Sequence, residues 1–256
     1  MDGGRRLEPA HRRLRARTAG RWVIDTIDTW LLFEVERHPI FIVPVRALPP
    51  LARADGEADD LDGRWVSLAG RPERRVRIWP TAPPDLPQLA DLAATPLDAA
   101  DEWYEEDAPL AFHPRDPYRR VDVLESSRHV AVHVDGVMMA ETDRPRLLLE
   151  TGMPPIWYVS LAAFNAERLR PAAQRSHCQY KGDASYWDVV TDRRTHEALV
   201  WGYPHAVRDA VGLAGHVAFA PWDAAVATTV DGVLQQADPP HPTWSNPSSQ
   251  LAATSG

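Results

Sequence analysis

What most constrains this chain is that it repeats within itself. Gly20-Arg21-Trp22-Val23-Ile24-Asp25-Thr26 lies over Gly136-Val137-Met138-Met139-Ala140-Glu141-Thr142, an offset of 136 − 20 = 116, and the register continues without a gap. Leu31-Leu32-Phe33-Glu34 then falls on Leu147-Leu148-Leu149-Glu150, and Pro39-Ile40-Phe41-Ile42-Val43 on Pro155-Ile156-Trp157-Tyr158-Val159. Shared hydrophobic patterning accounts for the apolar matches but does not demand Thr26/Thr142, Glu34/Glu150 and Pro39/Pro155 in one register. Self-similarity at a fixed offset marks related structural units, so two modules are expected.

The second copy reads as antiparallel strands. Val130, Val132 and Val134 alternate with Ala131 and His133, and Asp135-Gly136 is the dipeptide a tight hairpin prefers, because glycine accepts positive φ. Arg146 to Glu150, Ile156 to Val159, Ser185 to Val190, Leu199 to Tyr203 and His216 to Ala220 are further strand-like runs; Leu161 to Leu169 and Val207 to Leu213 suit short helices. The expected fold class is therefore mainly β with short helices (α+β). Residues 1–17, with their arginines, read as a basic disordered arm, 18–109 as the first module, 110–120 as a proline-containing connector, 121–236 as the second module and 237–256 as a disordered tail. The acidic stretch 53–63 reads as a loop inserted in the first module.

A formal charge of −8 argues against a general nucleic-acid binder, which needs a basic surface. One cysteine excludes an internal disulfide and a four-cysteine zinc site, and no His/Asp/Glu spacing resembles a metal motif, so neither metal nor cofactor is expected. No apolar run follows the basic N-terminus as in a signal peptide, and none approaches the ~20 residues of a membrane span. The expectation is a cytoplasmic protein with no membrane contact.

Chemistry concentrates in His177-Cys178-Gln179-Tyr180-Lys181-Gly182-Asp183-Ala184-Ser185-Tyr186-Trp187, which holds the only cysteine and the only lysine. Every other Lys/Arg position is arginine, so composition alone would have put arginine at 181. Among Tyr180, Tyr186 and Trp187, desolvation would depress the lysine pKa and free an amine for Schiff-base or phosphate chemistry; an ion pair with Asp183 or Glu150 is the structural alternative. Cys178 reads as a buried inert thiol, because adjacent strand residues face opposite ways and His177 is poorly placed to activate it. Lys181, Glu150 and His177 are the candidates for catalysis. Arg144, Arg146 and Glu150 would share one strand face suited to anions, or form a structural salt bridge. Trp201 and Tyr203 would also share a face, packing a core or, with Trp157, Tyr158, Tyr186 and Trp187, lining a ligand pocket. The first copy keeps Glu34 but has Asp28 and Trp30 for the two arginines and nothing like the lysine run, which places any chemistry in the second copy.

Ser126-Ser127-Arg128-His129-Val130, Arg144-Pro145-Arg146 through Glu150-Thr151-Gly152, Cys178-Gln179-Tyr180-Lys181-Gly182, Ser185-Tyr186-Trp187, Trp201-Gly202-Tyr203-Pro204 and Leu213-Ala214-Gly215-His216-Val217 resemble the domain of unknown function 427 family over about 121 to 233. Trp103 to Asp107 with His113-Pro114-Arg115-Asp116-Pro117 resembles its tandem form, whose first copy is divergent. The resemblance implies two tandem β-tent-like modules of antiparallel sheet, like the thalidomide-binding domain of cereblon, whose aromatic cage holds a cyclic imide. It names no reaction. A nucleotidyltransferase label attached to the family finds neither a glycine-rich phosphate loop nor a paired-aspartate motif here. The chain departs from the family at Ser160-Leu161-Ala162-Ala163-Phe164 and at His205-Ala206, where charged residues are usual, which implies a ligand that is altered or lost if those positions belong to the family's pocket. The expectation is a small anionic or carbonyl-bearing metabolite, with catalysis left open, held by Arg144, Arg146, Glu150, Lys181, Tyr186, Trp187, Trp201 and Tyr203. The alternative is a non-catalytic module reading a modified peptide end.

Overall fold

The structure, a computed structural model, describes residues 5–34, 37–53, 63–68 and 71–235. Most of the loop expected at 53–63 and the tail expected at 237–256 lie outside the described residues. The chain divides into two units, Met1–Asp116 and Pro117–Gly256, with the division inside the expected connector.

In the first unit the strands are β1 (Arg6–Pro9), β2 (Leu14–Thr18), β3 (Arg21–Thr26), β4 (Trp30–Phe33), β5 (Ile40–Pro44) and β6 (Leu51–Arg53). They are followed by β7 (Arg64–Leu68), β8 (Arg71–Ile78), β9 (Leu92–Ala94), β10 (Glu102–Glu105) and β11 (Ala108–Pro109). Seven form one sheet, β1-β4-β5-β9-β8-β7-β6, and four another, β11-β10-β2-β3, all antiparallel.

In the second unit β12 (Val121–Glu125), β13 (Val130–Val134), β14 (Val137–Thr142), β15 (Arg146–Glu150), β16 (Ile156–Ser160) and β17 (Leu169–Cys178) come first. Then follow β18 (Gly182–Val190), β19 (Thr195–Ala206), β20 (His216–Phe219), β21 (Val226–Val230) and β22 (Val233–Leu234). The sheets are β12-β15-β16-β20-β19-β18-β17 and β14-β13-β21-β22. Numbered within its own unit, each strand has the same neighbours in both. The register agrees as well: Arg17 meets Trp22 after a bulge at Ala16/Arg17, and His133 meets Met138 after one at Val132/His133.

The turn after β13 forms as Asp135-Gly136 requires, with φ of 51° and 79°. The short helices fall within the expected stretches, as 3₁₀ turns at Leu161–Ala163, Ala166–Arg168 and Arg208–Leu213; the described residues hold no α-helix. One expectation fails: residues 5–17 are not a free arm, because β1 and most of β2 lie within them. Leu14 and Ala16 are fully buried while the alternating Arg13 and Arg15 meet Asp25 and Asp107, each at 2.6 Å, so a period-two pattern had the composition of a charge run.

The second unit's core runs through both of its sheets, from Val130, Val132 and Met139 to Val159, Val200 and Phe219. An isolated bridge from Ala140 to Phe164, whose ring stacks on Phe219 at 5.3 Å, ties the sheets together.

Candidate functional site

Strand pairing fixes which side chains share a face. In the second unit Arg146, Tyr158, Ala218, Trp201 and Tyr186 are successive register partners across β15, β16, β20, β19 and β18, so they form one transverse row on one side of the sheet. Trp157 and Trp187, adjacent in sequence to members of that row, point to the other side, where Trp157 receives the Arg128 guanidinium at 5.4 Å. The expected aromatic group is thus divided: Tyr158, Tyr186, Trp201 and Tyr203 belong together, and Trp157 and Trp187 do not join them.

Lys181 occupies the β17–β18 turn and is held there by its backbone. Its amide donates to the Cys178 carbonyl at 3.1 Å, and its own carbonyl accepts from Val207 N–H at 3.2 Å. Gly182 follows at φ +98°, and any Cβ there would stand 2.8 Å from the His205 carbonyl oxygen, so only glycine allows this close approach. The lysine therefore enters the interior, only 8% exposed, and its ammonium donates to Glu150 Oε2 at the end of β15. Glu150 accepts on its other oxygen from Arg119 Nε at 2.7 Å, and the Arg119 guanidinium lies 5.3 Å from the Tyr180 ring. These contacts tie one end of the seven-stranded sheet to the other.

The electrostatics correct one expectation. Burial works to lower the Lys181 pKa, but Cys178, Glu150 and Tyr158 outweigh it and hold the pKa above 10.5, so the amine stays protonated. Burial works to raise the Glu150 carboxyl, and Lys181 and Arg119 bring it below its ordinary 4.5. Burial raises the phenols of Tyr158 and Tyr203 well above 10.0, which keeps them neutral. A freed amine for Schiff-base chemistry is therefore not what this site holds. It holds two cations and one carboxylate among neutral phenols, one positive charge in excess.

Two donors in the cluster are left over. An ammonium carries three N–H groups, and Lys181 has one hydrogen-bond partner among the described residues, Glu150. The Tyr203 hydroxyl, on a side chain only 7% exposed, has none. Its neighbours are satisfied: Trp201 Nε1 donates to the Tyr158 hydroxyl at 3.1 Å, and Tyr186 shares a hydrogen bond with Ser176 Oγ at 2.8 Å.

The remaining expected residues lie apart. Arg144 is exposed in the bend before β15. Arg146 sits at the outer end of the row, but its guanidinium meets Glu125 on β12 at 2.9 Å rather than the lysine cluster. His177 is exposed and contacts Asp183 at 2.6 Å, while Cys178, one residue on, is half-buried beside Lys181. Arg119 and Trp222 were not singled out from the sequence. Arg119 lay in the stretch read as connector, and Trp222, stacked on Trp201 at 5.5 Å, comes from a loop without periodicity.

Residues 122–234 match the family described as Domain of unknown function (DUF427). No curated protein matches the chain. No helix among the described residues is long and apolar enough to cross a membrane.

Proposed function

We propose that the C-terminal unit binds a small anionic or carbonyl-bearing metabolite at the Lys181–Glu150–Arg119 cluster, beside Tyr158, Tyr186, Trp201 and Tyr203. The observation that carries this reading is the buried Lys181 ammonium with a single hydrogen-bond partner among the described residues. A charge removed from water is stable only when its donors are met, and an acceptor oxygen from a ligand would meet the spare ones. The excess positive charge favours an anion, and the Tyr203 hydroxyl would add a neutral donor. Arg144, Arg146, His177 and Trp187 are left out of the proposed contact set, because their side chains are engaged or directed elsewhere. Turnover, if it accompanies binding, would use a protonated lysine as a hydrogen-bond donor to a developing oxyanion rather than as a nucleophile.

The matched strand orders and bulges of the two units support a further part of the proposal, that they are tandem copies of one module, the first having lost the lysine run. Among the described residues no three His, Cys, Asp or Glu side chains converge as metal ligands, so nothing in the geometry favours the metal-dependent nucleotidyl transfer attached to the family. Nothing favours the peptide-end reading either.

The test is a thermal-shift screen of small carboxylates, phosphates and carbonyl compounds against the wild-type chain and Lys181→Met. Hits that raise the melting temperature of the wild type and not of the variant support the site. Hits that stabilise both alike place the ligand elsewhere.

A further inference from the structure

The first unit has its own row at the position equivalent to the second unit's. Trp30, Ile42, Ala94, Arg77 and Trp65 are successive register partners, as Arg146, Tyr158, Ala218, Trp201 and Tyr186 are in the other sheet. Arg77 thus stands where the second unit has Trp201, and Trp79 where it has Tyr203. Arg77 contacts Glu34 at 3.3 Å, the residue equivalent to Glu150, and Glu34 also meets Arg37 at 3.3 Å, again leaving one positive charge in excess.

Two donors here find no acceptor among the described residues. Trp79 is only 1% exposed, packed with Leu32, Ile42, Leu86 and Leu89, yet its indole Nε1–H is unpartnered. The Arg77 Nε–H is likewise buried and unpartnered, with its guanidinium 4.9 Å from the Trp79 ring centre. Gly63 lies beside that indole nitrogen at φ +93°, where a Cβ would come within 2.8 Å of Nε1. Burying a donor with no acceptor costs about as much as the hydrogen bond forgone, and two such donors on one strand face next to a paired carboxylate are arranged to receive something.

We infer that the first unit holds a second binding site, in which Trp79 Nε1–H and Arg77 Nε–H donate to a small oxyanion, a carboxylate or a phosphate, against the apolar wall of Leu86 and Leu89. This site is independent of the lysine cluster and stands or falls separately from it.

The experiment follows the Trp79 indole N–H in the ¹H–¹⁵N spectrum of the full chain, titrated at constant ionic strength with sodium benzoate in one series and sodium phosphate in another. Trp79→Phe identifies the resonance by its disappearance, and backbone connectivity assigns it independently should that variant not fold. A saturable downfield shift is expected with at least one anion, and which one distinguishes carboxylate from phosphate. It should persist in Lys181→Met and require roughly tenfold more anion in Arg77→Met. A resonance that stays still into the tens of millimolar of both anions overturns the site. So does a shift that vanishes in Lys181→Met, because it would then report the other unit's ligand.

Discussion

The two units share a strand order, a bulge position and a carboxylate, yet surround that carboxylate differently. In the second, Glu150 takes a lysine brought in by a glycine-closed hairpin turn and an arginine from the chain before β12. In the first, Glu34 takes Arg77 from β8, directly in the sheet, and the tyrosine positions are Ile42 and Trp79. The fold therefore fixes where a buried acid can sit and leaves the choice of cation to whichever neighbouring segment supplies one. The Glu150 and Lys181 side chains are 6% and 10% exposed and those of Glu34 and Arg77 13% and 12%, so the clearer difference is in the outer partner, since Arg119 is 23% exposed and Arg37 68%.

That contrast breaks most sharply at the carboxylates. Glu150→Gln leaves Lys181 and Arg119 buried without a counter-charge and should cost about 3–5 kcal/mol in urea unfolding. Glu34→Gln should cost about 1 kcal/mol or less, because its partners are longer-range and one is in solvent. Equal losses would mean the two acids do the same structural work. The pH profile sharpens the point. The folded Glu150 pKa lies below 4.5, so its contribution is complete above that value and is lost as pH falls through the depressed one. The folded Lys181 pKa lies above 10.5, so its contribution is complete below that value and is lost as pH rises through the raised one. The gap between wild type and Glu150→Gln should stay flat from about pH 5 to 10 and close on the acid side. A gap that widens in acid would reverse the sign assigned to Glu150.

The glycines test likeness instead of difference. Gly63 at φ +93° and Gly182 at φ +98° each approach a backbone carbonyl to within 2.8 Å of where a Cβ would lie. Alanine at either should cost roughly 1–3 kcal/mol, and no loss at one of them would mean that the backbone there shifts to admit the Cβ.

How far these features were readable in the sequence follows from what each depends on. The strands β15 and β16 were readable as short apolar runs at Arg146 to Glu150 and Ile156 to Val159. The face shared by Trp201 and Tyr203 was readable from two-residue alternation. β17 was not: Leu169 to Cys178 alternates Arg170, Arg175 and His177 with small or polar residues, so an edge strand with one solvated face lacks the apolar signal. Arg119 was not readable either, because its role depends on curling the sheet until its ends meet, and no periodicity encodes that. The protonation of Lys181 required knowing that its counter-ions outweigh its burial, a balance of distances that spacing along the chain does not contain.

A smaller effect separates the two tyrosines that replace Ile42 and Trp79. Tyr158→Phe removes the acceptor of the Trp201 indole and should cost about 1 kcal/mol in thermal or urea unfolding. Stability unchanged in that variant would mean the indole finds another acceptor.

The smallest stability effect belongs to Tyr203→Phe. Its hydroxyl has no hydrogen-bond partner among the described residues, so its removal forfeits no bond in the free protein and should change unfolding by no more than about 0.5 kcal/mol. Its effect on binding should run the other way, since the same hydroxyl is proposed as a donor to the ligand. A hit from the thermal-shift screen should bind this variant about tenfold more weakly, measured by calorimetry, while Tyr158→Phe retains most of its affinity. A Tyr203→Phe protein that loses stability and keeps its affinity would show that the hydroxyl serves the core, and the second unit's site would then rest on Lys181 alone.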